Sequence, residues 1–163
     1  MAQGFAGERL AGWPVAFLRA GIGVLFLLAG LGKFEHIGHW PEGVLGFLNN
    51  AEKTAFPFYS GFIRVEKVHY ELFAWLVALG EVAVGVALTL GAFTRLAALV
   101  GAFMVCNYWF AKGADFWDPA GHDDLYIMVF LVLMFTGAGR VLGLDYFLSK
   151  KHPGLPNLVR TYG

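Results

Sequence analysis

Two long apolar runs with only two polar residues between them constrain this chain more than any other feature. The runs cover residues 72–93 and 96–111, and Thr94 and Arg95 separate them. A helix rises about 1.5 Å per residue, so about 20 apolar residues cross a hydrocarbon core about 30 Å thick. The runs therefore predict an antiparallel hairpin of two membrane-spanning helices.

The composition also indicates a membrane protein. Hydrophobic residues make up 58% of the 163 residues and charged residues 15%, whereas soluble domains have about 45–50% and about 25%. The formal net charge of zero gives no support for nucleic-acid binding. Cys106 is the single cysteine, which excludes an internal disulfide.

Further apolar segments predict spanning helices over 13–33 and 125–144. The expected fold class is therefore all-α, with residues 1–163 forming one integral membrane domain, a four-helix bundle. The first segment is too long for the apolar core of a signal peptide, so we expect it to be retained. One face of this first helix, at spacings of four and three residues, carries Arg19, Gly23, Phe26, Gly30 and Lys33.

The connection over 34–69 is long and rich in aromatic residues. Its proline at position 41 favours a short amphipathic helix from Pro41 to Ala55 that lies on the membrane. The aromatic residues indicate either an interfacial belt or a cap over a lipid-side cavity. The basic tail over 146–163 contains Pro153 and Pro156, and we expect it to rest on the membrane surface.

The distribution of basic residues predicts the topology. Four crossings place both termini on one side, and seven of the 12 lysines and arginines fall on that side. The positive-inside rule then puts both termini in the cytoplasm and the 34–69 connection outside.

Ionisable and amide side chains inside the predicted spans are the candidate functional residues. A charge at the bilayer centre costs about 2.5–3.5 kcal/mol, so such groups face a partner or a wet cavity. Glu81 and Asn107 both lie about 18–21 Å from the turn at Arg95, so they can share one polar site. We expect Glu81 to pair with Arg19 or Arg140, in a role that is either catalytic or purely structural.

The histidines lie in the wrong places for a haem. A haem between helices needs axial ligands inside them, and the sequence offers no bis-histidine pair there. An acidic helix cap is favoured over a metal site for the segment His122, Asp123 and Asp124. The histidines at or beyond the predicted outer helix ends are His36, His39, His69 and His122, and His152 lies in the tail.

Three segments together resemble a known family. They are LRAGIGVLFLLAGLGKF, GEVAVGVALTLGAFTR and GAGRVLGLD, and they are similar to the DoxX family of small four-helix bacterial and archaeal membrane proteins. The matching positions, in order, are Arg19, Gly23, Gly30, Lys33, Glu81, Gly85, Gly91, Thr94, Arg95, Gly137, Gly139 and Asp145.

The resemblance implies a subunit of a quinone-linked oxidoreductase in a bacterial or archaeal cytoplasmic membrane, of the thiosulfate:quinone type if it is an enzyme. Quinone is then the possible cofactor, and other protein subunits and lipids are the expected partners. The alternatives are a non-catalytic accessory subunit of a larger membrane assembly and, third, a small-solute transporter. In the quinone-linked subunit Glu81 exchanges protons with the quinone. The other residues of the expected catalytic site are Arg19, Arg140 and Asn107. The residues expected to flank the quinone ring are Trp40, Phe58, Tyr108 or Trp109.

Overall fold

The chain is helical throughout the part that the structure describes. The computed structural model describes residues 2–35, 38–119, 121–136 and 138–151, and these contain seven α-helices, one 3-10 turn and no strand, which confirms the all-α class. Gly137 and residues 152–163, which include most of the predicted tail, lie outside the described residues. The elements are α1 (Ala2–Glu35), α2 (Trp40–Thr54), α3 (Ser60–Val68), α4 (Tyr70–Leu90), α5 (Thr94–Lys112), α6 (Asp123–Thr136), the 3-10 turn Ala138–Arg140 and α7 (Leu144–Lys151).

Three of the described helices are long and apolar enough to cross a membrane: α1 over Gly12–Glu35, α4 and α5. Helix α4 packs against α1 on one side and α5 on the other, and α5 packs against α6. The core between them is built mainly from aliphatic residues and phenylalanine, among them Phe26, Leu88 and Phe130. The protein is therefore a membrane protein whose described spans form one packed helical body.

The turn between α4 and α5 lies two to three residues earlier than predicted. Helix α4 ends at Leu90, and Gly91 adopts the left-handed conformation (φ 66°) that often ends a helix. Phe93 is also left-handed (φ 51°), and α5 begins at Thr94. Ala92 and Phe93 are apolar, so hydrophobicity alone does not show that the helix has already ended before them.

The predicted fourth spanning helix over 125–144 is wrong in its bounds. Helix α6 has 14 residues and ends at Thr136, which is about 21 Å at about 1.5 Å per residue. The chain then folds tightly around buried charges: a Cβ at Gly139 would collide with Asp145, and one at Gly143 would collide with Arg19. These glycines permit the tight turn that replaces the last helical turns.

Glycines on the predicted face of α1 allow α4 to approach closely. A Cβ on Gly23 would lie 2.6 Å from the backbone nitrogen of Thr89, and one on Gly30 would lie 2.8 Å from that of Val82. Backbone atoms cannot move aside as a flexible side chain can. In lipid the hydrophobic effect does not drive helices together, so helices associate through close van der Waals contact at small residues.

Replacing Gly23 by alanine tests this contact. We expect the variant to lose about 1–3 kcal/mol of unfolding free energy, because the added methyl group overpacks the α1–α4 interface. The measurement is an unfolding titration in mixed micelles. Gly21→Ala is the matched control, since a Cβ there meets nothing within 4 Å, and it should be neutral or gain up to about 1 kcal/mol. Equal effects of the two substitutions would contradict the close contact.

Helices α2 and α3 fill the interval between α1 and α4. Helix α2 occupies the place where Pro41 predicted a short helix. It packs on α3, α4 and α5, and a second apolar cluster joins it to α3 and to the end of α5 through Leu48, Tyr59, Ile63 and Ala111. Residues from both helices line the cavity described next.

Candidate functional site

A cavity of about 580 Å³ lies among α2, α3, α4 and α5 and reaches α1 at Lys33. We name it the Glu81 cavity. Its walls are mostly apolar, with aromatic residues from α2, α3, α4 and α5. Its polar lining consists of Lys33, Glu66, Glu81, Asn107, Tyr108 and Lys112, beside the indole of Trp40.

A buried ion pair forms one wall of this cavity. The Lys33 ammonium donates a hydrogen bond to Oε2 of Glu81, and the two side chains are 15% and 8% exposed. Lys33 reaches Glu81 because α1 and α4 run side by side at the glycine contacts. Its ammonium also donates to the carbonyl oxygen of Ala29 at 3.3 Å. Each charge therefore has a partner, as burial in a membrane demands.

Tyr108 and Trp40 surround the ion pair. The Tyr108 hydroxyl donates to Oε1 of Glu81 at 3.3 Å, so both carboxylate oxygens accept a hydrogen bond. The Lys33 ammonium lies 4.8 Å from the centre of the Trp40 ring, which is within the range of a cation–π contact. The indole nitrogen of Trp40 donates to the carbonyl oxygen of Ala74 at 3.0 Å, which holds the start of α2 against α4.

Asn107 lines the same cavity, as its predicted depth beside Glu81 suggested. Its side-chain oxygen accepts a hydrogen bond from the Tyr59 hydroxyl at 2.5 Å, and its side-chain nitrogen donates to the carbonyl oxygen of Phe103 at 2.6 Å. Asn107 therefore connects α5 to the residue that precedes α3. Burial, and next the Glu66 carboxylate, raise the pKa of Tyr59, so its hydroxyl stays protonated as a donor.

Glu66 is a cavity residue that the sequence interpretation missed. It lies on α3, and burial raises its pKa from the ordinary value near 4.5 to about 7. A helical spacing was the available signal, because Phe62 and the fully buried Ile63 precede Glu66 by four and three residues. Glu66 thus shares a helix face with Phe62, which also lines the cavity, and with the buried Ile63.

The raised pKa of Glu66 predicts a pH-dependent stability. Between about pH 4.5 and 7 the folded chain holds a proton at Glu66 that the unfolded chain releases, so stability falls as pH rises through this window. We expect Glu66→Gln to gain stability relative to the native protein over the same window, measured as the unfolding temperature in nanodiscs. Glu52→Gln is the control: Lys67 lowers the pKa of Glu52, so its difference has the opposite sign. A flat difference for Glu66→Gln would contradict the burial of this carboxyl.

The expected pairing of Glu81 with an arginine is wrong. Arg19 is 2% exposed, but it turns toward the other end of the protein and donates to the carbonyl oxygens of Ala138 at 3.2 Å and Leu142 at 3.1 Å. Asp145 interacts with its charge. Lys33 reaches Glu81 instead, because it extends from the end of α1 toward the middle of α4.

Three other predicted site residues also lie outside the Glu81 cavity. Arg140 lines a separate pocket beyond the end of α4. Phe58 is 71% exposed and stacks on Phe56 with ring centres 5.8 Å apart. The indole nitrogen of Trp109 donates to the carbonyl oxygen of Ala114 at 2.8 Å. The cavity thus brings together Glu81, Asn107, Trp40 and Tyr108 and excludes Arg19, Arg140, Phe58 and Trp109.

Comparison with known proteins decides the family. A sequence model of the DoxX family matches residues 15–113, more than half of the chain. The chain belongs to the DoxX family. The match confirms the resemblance, and it contains every polar residue of the Glu81 cavity, from Lys33 to Lys112. No curated protein and no solved structure matches this DoxX protein.

Proposed function

We propose that this DoxX protein is a membrane subunit of a quinone-linked oxidoreductase complex and that the Glu81 cavity receives the quinone ring. One observation carries the proposal: Lys33, Glu81 and Tyr108 form a buried, hydrogen-bonded group on the wall of an apolar cavity within spanning helices. Intramembrane ionisable groups of this kind are functional candidates by default.

The rim of the cavity suits a ligand that arrives from lipid. Leu76 on α4, and Val100 and Phe103 on α5, line the cavity and are also exposed on the outer surface of the helices. In a membrane those side chains face acyl chains, so a lipid-soluble molecule can enter between α4 and α5. A quinone has an apolar tail for this route and a ring that aromatic walls can hold.

The polar group supplies what a quinone ring needs. A quinone carbonyl oxygen accepts hydrogen bonds, and the Lys33 ammonium lines the cavity as a donor. An ammonium has three N–H groups, and Lys33 donates two of them, to Glu81 and to the carbonyl oxygen of Ala29, so one remains for the ring. Reduction to the quinol adds two electrons and two protons. In the proposal a redox partner protein is oxidised and supplies the electrons, and the Glu81 carboxyl exchanges protons with the ring oxygens.

Glu66 gives the proposal a second proton-exchanging carboxyl. It lines the same cavity from α3, which lies outside the three spanning helices. A group with a pKa near 7 can both take and give a proton at physiological pH. Glu66 would then pass protons between the surrounding water and the inner group at Glu81.

The proposed topology places this cavity on the outer half of the membrane. Both termini would lie in the cytoplasm of a bacterium or archaeon, with α6 as a fourth crossing shorter than expected. Lys33, Lys112, α2 and α3 would then face the extracytoplasmic side. The topology rests on the excess of lysine and arginine at the opposite helix ends.

The test is quinone retention by the purified protein. The protein is extracted gently from native membranes, and its quinone content and partner polypeptides are measured by mass spectrometry. We expect about one quinone per chain, lost at least tenfold on Glu81→Gln and retained by Glu52→Gln, which removes an exposed carboxylate of the Lys67 pair.

Each contrary outcome selects an alternative. Equal quinone content in the two variants would refute the Glu81 site. A stable assembly that contains this chain but no bound quinone would favour the accessory subunit. Uptake of a small solute by vesicles that contain this chain alone would favour the transporter.

A further inference from the structure

A second pocket of about 620 Å³ lies at the other end of the helices and has no part in the proposed quinone chemistry. We name it the Arg140 pocket. Trp13 lines it and precedes Lys33 by 20 residues on α1, which is about 30 Å along the helix. That distance is the thickness of a hydrocarbon core, so the two pockets occupy opposite membrane boundaries. Its apolar wall includes Trp13, Leu90, Leu142, Leu144 and Phe147.

Arg140 has no counter-charge among the side chains that the structure describes around this pocket. Its guanidinium is half-buried and makes no ion pair or hydrogen bond with any residue that the structure describes. Its Nε is sealed from solvent, so the terminal Nη groups are the donors left for a ligand. A partly desolvated cation without an anion is costly, which indicates that an anion binds here.

The neighbouring charges do not neutralise Arg140. Arg19 already donates to two carbonyl oxygens and interacts with Asp145. The Asp145 carboxylate in turn accepts hydrogen bonds from the backbone nitrogens of Phe93 and Thr94. Asp145 is the one acidic side chain described at this end, and the sequence that follows adds Lys150 and Lys151. The end as a whole is therefore basic.

We propose that the Arg140 pocket binds an acidic phospholipid, with the headgroup phosphate on the Arg140 guanidinium and an acyl chain along the apolar wall. Leu142 is 83% exposed and Phe147 is 65% exposed, so the wall continues onto the lipid-facing surface. A soluble anion would satisfy Arg140 but leave that wall bare. A basic residue and apolar surface at a membrane boundary together match a charged headgroup with its chain.

The test compares lipids on the full chain by native mass spectrometry in mild detergent. Phosphatidylglycerol and phosphatidylcholine are titrated separately. We expect one phosphatidylglycerol to be retained in preference to phosphatidylcholine, and Arg140→Gln to bind it about fivefold more weakly. Arg140→Lys keeps the charge and should retain most of the binding. Arg64→Gln, an exposed site on α3, is the matched control and should change nothing.

A further variant and a competition with inorganic phosphate distinguish a phospholipid site from the other possible results. Leu142→Glu adds a carboxylate at the exposed rim without removing buried packing, so it tests the pocket even if Arg140→Gln does not fold. We expect it to weaken phosphatidylglycerol binding as well. Equal binding of both lipids, or equal losses for the variants at Arg140 and Arg64, would overturn the proposal. Displacement of the lipid by millimolar inorganic phosphate would assign the pocket to a soluble anion and would also overturn it.

Discussion

We expect the replacement of Lys33 by methionine to lower the free energy of unfolding by about 3–5 kcal/mol. Methionine retains the apolar stem beside Trp40 but removes the ammonium, so the Glu81 carboxylate remains in a buried site without a cation. An unpaired buried charge is far more costly than a lost surface contact. The measurement is an unfolding titration of the purified protein in mixed micelles.

Two comparisons make this result interpretable. Lys67→Met breaks the exposed pair with Glu52 and should cost less than about 1 kcal/mol. The double variant Lys33→Met with Glu81→Gln removes both charges and should recover much of the loss, because it leaves no unpaired ion. A Lys33→Met protein as stable as Lys67→Met would show that the buried pair does not exist.

Replacing Asp145 by alanine should also cost about 3–5 kcal/mol. The carboxylate accepts hydrogen bonds from the backbone nitrogens of Phe93 at 2.6 Å and Thr94 at 2.9 Å. It also interacts with the charge of buried Arg19. The variant therefore loses the cap of α5 and the counter-charge of Arg19 together. Unfolding titration measures the loss.

Asp124→Ala is the control for this prediction. Asp124 accepts a hydrogen bond from the backbone nitrogen of Leu125 at 2.7 Å on an exposed helix start, so its loss should cost about 1 kcal/mol. Asp145→Asn retains one acceptor oxygen and should fall between the two. Similar losses for alanine at positions 145 and 124 would refute the dual role of Asp145.

Hydrophobic pattern and helical spacing predicted the parts of this fold that depend on local sequence. The all-α class, the spans in α1, α4 and α5, and the close α1 face at Gly23 and Gly30 follow from apolar length and small-residue spacing. Depth counting also brought Glu81 and Asn107 to one cavity. Each of these features can be derived from the sequence of one helix, or of one hairpin, without knowledge of how the other helices pack.

The features that depend on distant contacts were not predictable in the same way. Lys33 was assigned to a helix end, where a lysine commonly reaches water, and only the packing of α1 on α4 brings it to Glu81. Arg19 was expected to pair with Glu81, but its partners are residues 138, 142 and 145, near the other end of the sequence. Hydrophobicity gives no information about which of two buried cations meets a carboxylate.

The short α6 has the same cause. The apolar residues between Thr136 and Leu144 continue the hydrophobic pattern, but the chain must leave the helix to bring Asp145 onto the start of α5. Gly139 lies in this stretch, and the Asp145 carboxylate lies against it. A helix cap supplied from another part of the chain leaves no trace in local spacing.

That cap sets an order of events during synthesis. Thr94 and Asp145 are 51 residues apart, so at about 5–20 residues per second the ribosome needs about 3–10 s to deliver the carboxylate after the first turn of α5 is made. During that interval α1 and α4 can already associate through their glycines. The beginning of α5 and the Arg19 guanidinium do not yet have the Asp145 carboxylate as their partner. The carboxylate of Asp145 then acts as the closing step of assembly, joining the start, the middle and the late part of the chain in one contact.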